Sequence, residues 1–557
     1  MGSPKLKVAF LVGSDSSSTR HSIAAVCSLP GVEPVGVLLD TEVPSFKRRR
    51  KNLLRNIRAN GWSYPLSRIV GAISAATSAA VNHAAVSRTE VKKVLKEAFP
   101  DRCFSLPELG QKYGVPIHAV GNLNSPNAIR VLAECGADLG IVLGTRILKP
   151  GTFSVPRLGC INLHKGKVPE YRGMPPGFWE LYDGASSAGV TVHFVDKGLD
   201  TGDIVANGSV AIQKTETPDT LLEKLHVEGS RALASAVASI RDGTASPQPQ
   251  AKCESKPRSK PTRKEEAQLR QRLPHWMKRG GASSIVRNLY ILFVYYSGLY
   301  FIVRQWHRLS RSRGAIFLHH RVNDYSRDPL TVDPETFAAQ LLAISKRYPV
   351  SPTDAIVDRI LTNKPLPPTT VAIHFDDCYR DILTNGAPIL KALRIPACAF
   401  INSGFIDTSR TFAHDDAKYP FTFDMLRSSD LQAWSNQGFE VGAHTVNHVD
   451  LGNIAVEAAN QEIVQCGQDL EKLIGKPVYL FSFPFGRKDN ITAQTRQIVQ
   501  TAGYTALFSA QDGFIGPRTN PFDIPRGGAN HEASPVYCLL QIEGLTLSQL
   551  AAKFRGR

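Results

Sequence analysis

A short apolar run, Cys160–Leu163, ends with an amide and an imidazole one residue apart, Asn162 and His164. An apolar run that stops at polar groups reads as a strand, and on a strand residues i and i+2 face the same side. Asn162 and His164 therefore point together into one pocket. Further on come a β-rich run, Val190–Val195, and an acid in a glycine-flanked loop, Asp200. Acyl transfer to an amine needs these three functions together. The amide and a charged imidazole hold the oxyanion. The carboxylate removes the amine's proton, directly or through water.

The flanking sequence fits an α/β fold. Lys7–Gly13 reads as a strand, Ser14–Thr19 as a Ser-rich turn and His21–Ser28 as a helix, the start of a Rossmann-like sheet. Pro34–Leu39, Ile117–Val120 and Leu139–Leu143 are further strands, with a helix at Asn127–Cys135. Lys47–Arg58 is a basic helical run, and an Ala-rich helical insert follows it to about Lys96. Thr217 caps an amphipathic helix that runs to Ile240, with Pro218 at its first position.

The frame Asn162-x-His164, Pro169, Tyr171-Arg172-Gly173 and Leu199-Asp200-Thr201-Gly202 resembles that of the folate-dependent formyltransferases. These include the methionyl-tRNA, glycinamide ribonucleotide and sugar amine enzymes. The resemblance implies an N-terminal Rossmann-like formyltransferase fold and 10-formyltetrahydrofolate as cofactor. It also implies Asn162, His164 and Asp200 as catalytic residues. The segment Gly144–Pro150, GTRILKP, is similar to one that lines the folate pocket. By that resemblance Arg146 and Leu148 contact the pterin, with the loop from Val195 to Asp200 opposite. The other reading of Arg146 is a salt-bridged surface residue. Lys165 and Lys167 depart from the family pattern. They imply an anionic acceptor, or else they point to water.

A second set of chemical groups lies downstream. Ala315–Val322 is a strand that carries His319 and His320, and Val371–Asp377 is a strand ending in two acids, Asp376 and Asp377. Gly442–His448 holds His444 and His448, at i and i+4, which on a helix share one face. Val478–Gly486 ends in a Pro-Phe-Gly turn. An acid with two histidines makes a metal site, and a second acid can take a proton from water. This half resembles the polysaccharide deacetylases, also called NodB-like or carbohydrate esterase family 4. The resemblance implies a distorted (β/α) barrel, with Asp376 as general base. Asp377, His444 and His448 would hold a divalent metal, zinc by expectation. Arg526 would orient Asp376, and Pro484-Phe485-Gly486 would shape the groove. Cys378 replaces the family's glycine. No late Leu-x-Ile-His is evident, which leaves His531 and His320 as candidates for the general acid.

The length of 557 residues suggests roughly three or four domains. The expected division is 1–243 formyltransferase, 244–313 linker with an apolar helix, and 314–557 deacetylase-like. Thr244–Arg272 is rich in Pro, Ser, Lys and Arg, and self-repulsion should keep it extended. Leu289–Val303 is the most apolar run. It is shorter than the ~20 residues a span needs. It reads as a spanning or re-entrant segment, as an interfacial helix making peripheral membrane contact through 289–306, or as a buried helix joining the halves. Nine cysteines without a C-x-x-C pair and an N-terminus that reads as a strand place the chain in the cytoplasm, by expectation. The net charge of +17 raises nucleic acid as a partner. No RNA-stacking aromatic signature supports it.

Two amide-directed sites that share an amine suggest linked reactions. The leading expectation is a bifunctional enzyme that removes an N-acetyl or other N-acyl group and formylates the exposed amine. The partner is then a small acylated amine or amino sugar, anionic if the lysines recognise it. The alternatives are a formyltransferase paired with a deformylase, and a formyltransferase whose second domain is a degenerate binding module.

Overall fold

The computed structural model describes residues 5–43, 46–61, 63–213, 216–251, 256–273, 276, 282–310, 313–324, 328–416, 422–528 and 533–555. Two compact units divide the chain. The first comprises 1–68, 102–278 and 417–420, and the second comprises 69–101, 279–416 and 421–557.

The first unit is built on seven strands. These are β1 Leu6–Val12, β2 Val32–Asp40, β3 Ile117–Val120, β4 Leu139–Leu143, β5 Cys160–His164, β6 Ser187–Phe194 and β7 Ile204–Ala211. Their order is β3-β2-β1-β4-β5-β6-β7. The pairs from β3 through β5 are parallel, and β6 and β7 add antiparallel strands at one edge. All five residues of β4 are buried, as expected of a parallel strand covered on both faces. The helix Pro218–Arg241 is capped by Thr217, whose side chain accepts from the Thr220 N–H. It buries Leu221, Leu225, Leu233 and Val237 against the sheet core.

Beyond Thr244 the chain does not trail away extended. Gln248 exchanges backbone hydrogen bonds of 2.8 and 2.9 Å with Ile204. Arg258 donates from its N–H to the Arg172 carbonyl at 2.7 Å, and its own carbonyl accepts from Met174 at 3.1 Å. The cations find local partners instead of repelling one another. Arg258 pairs with Asp183 at 2.5 Å and lies 5.0 Å from the Trp179 ring centroid. A helix, Arg263–Arg272, closes this strap, capped reciprocally by Thr262 and Glu265.

The second unit carries seven parallel strands. These are β8 Ala315–His319, β11 Val371–Asp376, β12 Cys398–Ile401, β13 Glu440–Ala443, β14 Leu480–Ser482, β15 Ala506–Phe508 and β16 Gly527–Gly528. They run in the order β15-β14-β13-β12-β11-β8-β16, a curled half-barrel. A two-stranded ladder, β9 Arg321–Val322 with β10 Thr331–Val332, stands beside it. Ile316, Ala372, Phe400, Leu480 and Phe508 share one core cluster. The Ala-rich insert is two helices, Ser63–His83 and Arg88–Ala98. Residues 69–101 of it belong to this unit.

The apolar run Leu289–Val303 is not one helix. Gly298 takes a left-handed φ of 86°, and the segments Ser284–Tyr296 and Leu299–Ser310 meet at 60°. Among the described residues no single helix is long and apolar enough to cross a membrane.

Gly173 ties the strap to the first unit. Its φ is +97°, and a Cβ there would lie 2.1 Å from the Arg258 carbonyl oxygen. Gly173→Ala should release the strap and destabilise the unit by roughly 1–3 kcal/mol. Thermal melting, with faster proteolysis between residues 244 and 262, checks this.

Candidate active sites

In the first unit β5 pairs antiparallel with β6, so Asn162 stands opposite His193 and His164 opposite Thr191. Residues directly opposite share one face of a sheet, so two imidazoles and an amide gather there. Asn162 Nδ2 lies 3.2 Å from His193 Nε2 and 3.4 Å from Asp200 Oδ1. Asp200 Oδ2 is 3.5 Å from His164 Nδ1, and Asp200 Oδ1 is 3.6 Å from His193 Nε2. The three residues expected from the sequence therefore converge. Asp200 reaches the site from a left-handed position, φ 55°.

Electrostatics assign the resting charges. Burial pushes the Asp200 carboxyl up. The neighbouring His193 and His164 imidazoles and the Gly173 N–H outweigh it and hold the group below its ordinary value. Burial also lowers His164 and exceeds the opposing pull of Asp200 and of the Tyr171 carbonyl. The charged imidazole expected from the sequence is thus neutral in the resting site. Its Nε2 hydrogen bonds the Tyr171 carbonyl at 2.8 Å. That carbonyl takes the proton-bearing nitrogen and leaves the Nδ1 lone pair facing Asp200.

His193 is a member the sequence reading missed. Its signal was a histidine within the alternating run Val190–Val195, but only the β5–β6 register shows what it opposes. Gln250 was missed too. From the strap it donates to the carbonyls of Asp200 at 3.1 Å and Gly202 at 2.7 Å, bracing the Asp200 loop. A cleft lined by Lys165, Tyr171, Met174, Trp179, Glu180 and Arg258 adjoins the site. Burial brings the Lys165 ammonium down to about 8 and the Glu180 carboxyl up to about 7. Lys167 is exposed and lies 3.8 Å from Glu170.

The residues expected to meet a pterin fall on the neighbouring strand end. The Arg146 guanidinium is committed to Asp40, at 2.6 Å through Nη2, and to Glu42. This leaves the backbone of the segment, not that side chain, to face a ligand. Leu148 is buried in an apolar cluster against which Val195 packs.

In the second unit the strand ends bring the other set together. Asp376 is the last residue of β11, and Asp377 turns out of the strand with φ 73°. His444 and His448 are not on a helix. They follow β13 in a loop where Thr445 and His448 have φ of 66° and 53°. The loop achieves the convergence that helical spacing was expected to supply. Cys378 is fully buried, and the left-handed residue is Asp377. The backbone therefore does not require a glycine at 378.

Asp377 Oδ1 lies 3.3 Å from His448 Nε2 and 3.7 Å from His444 Nε2. It is buried without a hydrogen-bond partner. His444 Nδ1 sits 2.8 Å from the Ser482 carbonyl, so Nδ1 carries the proton and Nε2 offers its lone pair to the cluster. An orphaned carboxylate oxygen beside two imidazole nitrogens fits a divalent cation. Burial brings His444 down to about 4, which keeps it a neutral ligand. Burial raises Asp377, but the nearby His448 charge holds it well below the carboxylate range.

Asp376 accepts from Arg526 through both oxygens, at 2.7 and 2.6 Å, and from Ser482 Oγ at 3.2 Å. Arg526 is 1 % exposed and also donates to the Ser509 carbonyl at 3.0 Å. Burial would raise Asp376, but the Arg526 and His444 charges keep it below its ordinary value. His320 feels both acids, yet burial lowers it further than they raise it. The Phe485 ring stands 4.9 Å from that of His448 and is half exposed, at the mouth of the site. His531 lies outside the described residues.

The family model "Formyl transferase" matches residues 49–237, and "Polysaccharide deacetylase" matches residues 363–507. Among curated relatives, methionyl-tRNA formyltransferases from Agathobacter rectalis and Thermodesulfovibrio yellowstonii are each 34 % identical. The matches cover 26 % and 25 % of this chain and 46 % and 45 % of theirs. The chain thus spans less than half the length of these relatives. A Streptococcus pyogenes deacetylase structure is 19 % identical, covering 41 % of this chain and 98 % of its own, with a TM-score of 0.37. A glycinamide ribonucleotide transformylase from Symbiobacterium toebii is 16 % identical, covering 43 % and 89 %, with a TM-score of 0.29.

Two predictions follow from the geometry. A Cβ on Gly166 would lie 2.5 Å from the Tyr171 carbonyl oxygen and 2.6 Å from His164 Nε2. Gly166→Ala should turn His164 away from Asp200 without lowering the content of secondary structure. Circular dichroism, with the His164 ring resonances followed by NMR through a pH titration, checks it.

The second concerns pH. His444, at about 4, and His320 and His374, both lowered, stay neutral in the fold. An unfolded histidine takes a proton near 6.5. As pH falls from 6.5 towards 4 the unfolded chain gains protons that the folded chain does not, so stability falls. His83 and His414 are lowered too, whereas His448 and the Asp381 and Glu440 carboxyls, raised to about 6 and about 7, work the other way against these five histidines. The melting temperature of the second unit, with chelator present, should fall by several degrees between pH 7 and pH 5.

Proposed function

We propose that the second unit hydrolyses an N-acyl group, acetyl in the leading reading, and that the first unit formylates the exposed amine. The formyl donor in this reading is 10-formyltetrahydrofolate. The observation that carries it is the pair of ionised carboxylates, Asp200 and Asp376, each beside groups suited to amide chemistry. The amine is the product of one site and the substrate of the other.

In the second site Asp377, His444 and His448 would hold the cation. Such a cation, zinc by its donor set, supplies Lewis-acid polarisation of an amide carbonyl. Asp376 takes the proton of the attacking water, with Arg526 holding it ionised and aimed. Asp376 then gives that proton to the leaving amine as the C–N bond breaks, with the neutral His320 beside the two acids as a relay.

In the first site the folate donor supplies the formyl carbon. Asn162 Nδ2 donates to the formyl oxygen as charge develops on it. Asp200 takes the proton of the attacking amine and passes it to His164 Nδ1, 3.5 Å away, whose charge then supports the oxyanion; the same proton goes on to the donor's leaving nitrogen as its C–N bond breaks. His193 Nε2 stands 3.6 Å from Asp200 Oδ1 and favours the ionised carboxylate. Lys165 and Arg258 line the adjoining cleft and favour an acceptor that carries an anionic group.

Single-site variants read by mass spectrometry test the scheme. With an N-acetylated amino sugar, formyl donor and divalent metal, Asp377→Ala should leave the acetylated compound. Asn162→Ala should accumulate free amine, with formylation down about a hundredfold or more. If chelation instead accumulates a formylated species, the second unit is a deformylase. Unchanged starting material across nucleotide sugars, amino sugars and small acylated amines would sink both readings.

A further inference from the structure

Three helices turn apolar side chains outward and bury polar ones beside their remaining apolar residues, Val81, Ile291 and Val294. On the helix Ser63–His83, residues 69–82 carry no charge. Ser74 and Thr77 face inward, while Ile69, Ile73 and a row of alanines face solvent. Ser74 meets Ser284 at 3.3 Å, and Ser78 accepts from the buried Asn288 at 3.1 Å. On the helix Ala282–Tyr296, Val286, Leu289, Phe293 and Tyr296 lie outward. On the helix Leu299–Ser310 the inward groups are polar. Tyr300 meets the Tyr348 hydroxyl at 2.9 Å, and His307 meets Glu543 at 2.5 Å. Its outward groups are Phe301, Ile302, Trp306 and Leu309, with Phe293 68 % and Trp306 63 % exposed. A helix in water buries its apolar stripe and exposes its polar one. Here polar groups satisfy each other inside, as they do where the surroundings are hydrocarbon.

A cationic cavity opens on the flank of the same helix. It holds about 260 Å³ between Arg304, Arg308, Arg347, Tyr348 and Thr369. Arg304 donates to the Arg347 carbonyl at 2.6 Å. Arg347 donates to the carbonyls of Ala343 and Ala85 at 3.1 and 3.0 Å and to the Tyr295 hydroxyl at 3.1 Å. None of these acceptors carries charge. Thr369 is 2 % exposed, and its Oγ1 has no partner. Three guanidinium groups and an unpartnered buried hydroxyl fit a phosphate group.

We infer that this face docks on an anionic phospholipid surface, with the apolar side chains at the acyl boundary and a headgroup phosphate in the arginine cavity. The occupant is a bilayer because the apolar face and the cation cavity lie on one helix. Helices that lie in the membrane interface combine these two features. The net charge of +17 draws the chain to such a surface.

Sedimentation of the full chain with vesicles tests the inference. Vesicles of phosphatidylcholine with phosphatidylglycerol should carry the protein down, and phosphatidylcholine alone should carry far less. Arg308→Glu should weaken binding to the anionic vesicles about tenfold. Phe293→Asp with Ile302→Asp should abolish it. Both sets of substitutions are on exposed positions, and an unchanged circular dichroism spectrum shows that the fold persists. Equal sedimentation with and without vesicles overturns the inference, as does unchanged binding by the double variant. Self-association that the double variant dissolves, with no vesicle binding by the parent chain, also overturns it and makes the face a contact between copies.

Discussion

Keeping a buried carboxylate ionised is the constraint on which both sites depend. Taking a lone charge out of water costs several kcal/mol even after relaxation. Each unit meets the constraint with different groups. Asp376 has a bidentate arginine and a serine hydroxyl. Asp200 has two imidazoles and a backbone N–H. An arginine holds its proton at any relevant pH, so the Asp376 pair is permanent. The imidazoles at Asp200 can exchange protons, so charge there follows the reaction.

Strain sits at the same places. Asp200, Asp377, Thr445 and His448 all take left-handed backbone conformations, which side chains with a Cβ rarely adopt. Such positions cost on the order of 1–3 kcal/mol and persist only where the surroundings enforce them. In each case the turn re-aims a polar side chain at the end of a strand. The parallel sheets supply rigid strand ends, and the loops supply the angle. This explains why Asp377 and the two histidines meet without a helix between them.

Much of both sites was legible because the chemistry lies next to recognisable apolar runs. Asn162 and His164 sit on one strand face by parity alone, and Asp376 and Asp377 close an unbroken apolar run. The Thr217 cap and Pro218 marked a helix start that the structure keeps. What was not legible came from distant pairing. Residue 193 faces residue 162 only through an antiparallel register. Gln250 and Arg258 lie in a stretch whose composition reads as a free linker. They are held by hydrogen bonds to residues 48 and 75 positions or more away.

By itself the sequence placed Asn162, His164, Asp376 and Asp377 at strand ends, since alternation and apolar run length are local properties. Only the tertiary structure decided their charges and their partners. A pKa depends on burial and on neighbours brought in from elsewhere in the chain. His164 is neutral and Arg146 is occupied for that reason. The outward face of the helices between residues 282 and 310 was decided in the same way: periodicity marks a stripe, but packing determines whether the stripe meets the core or the surroundings.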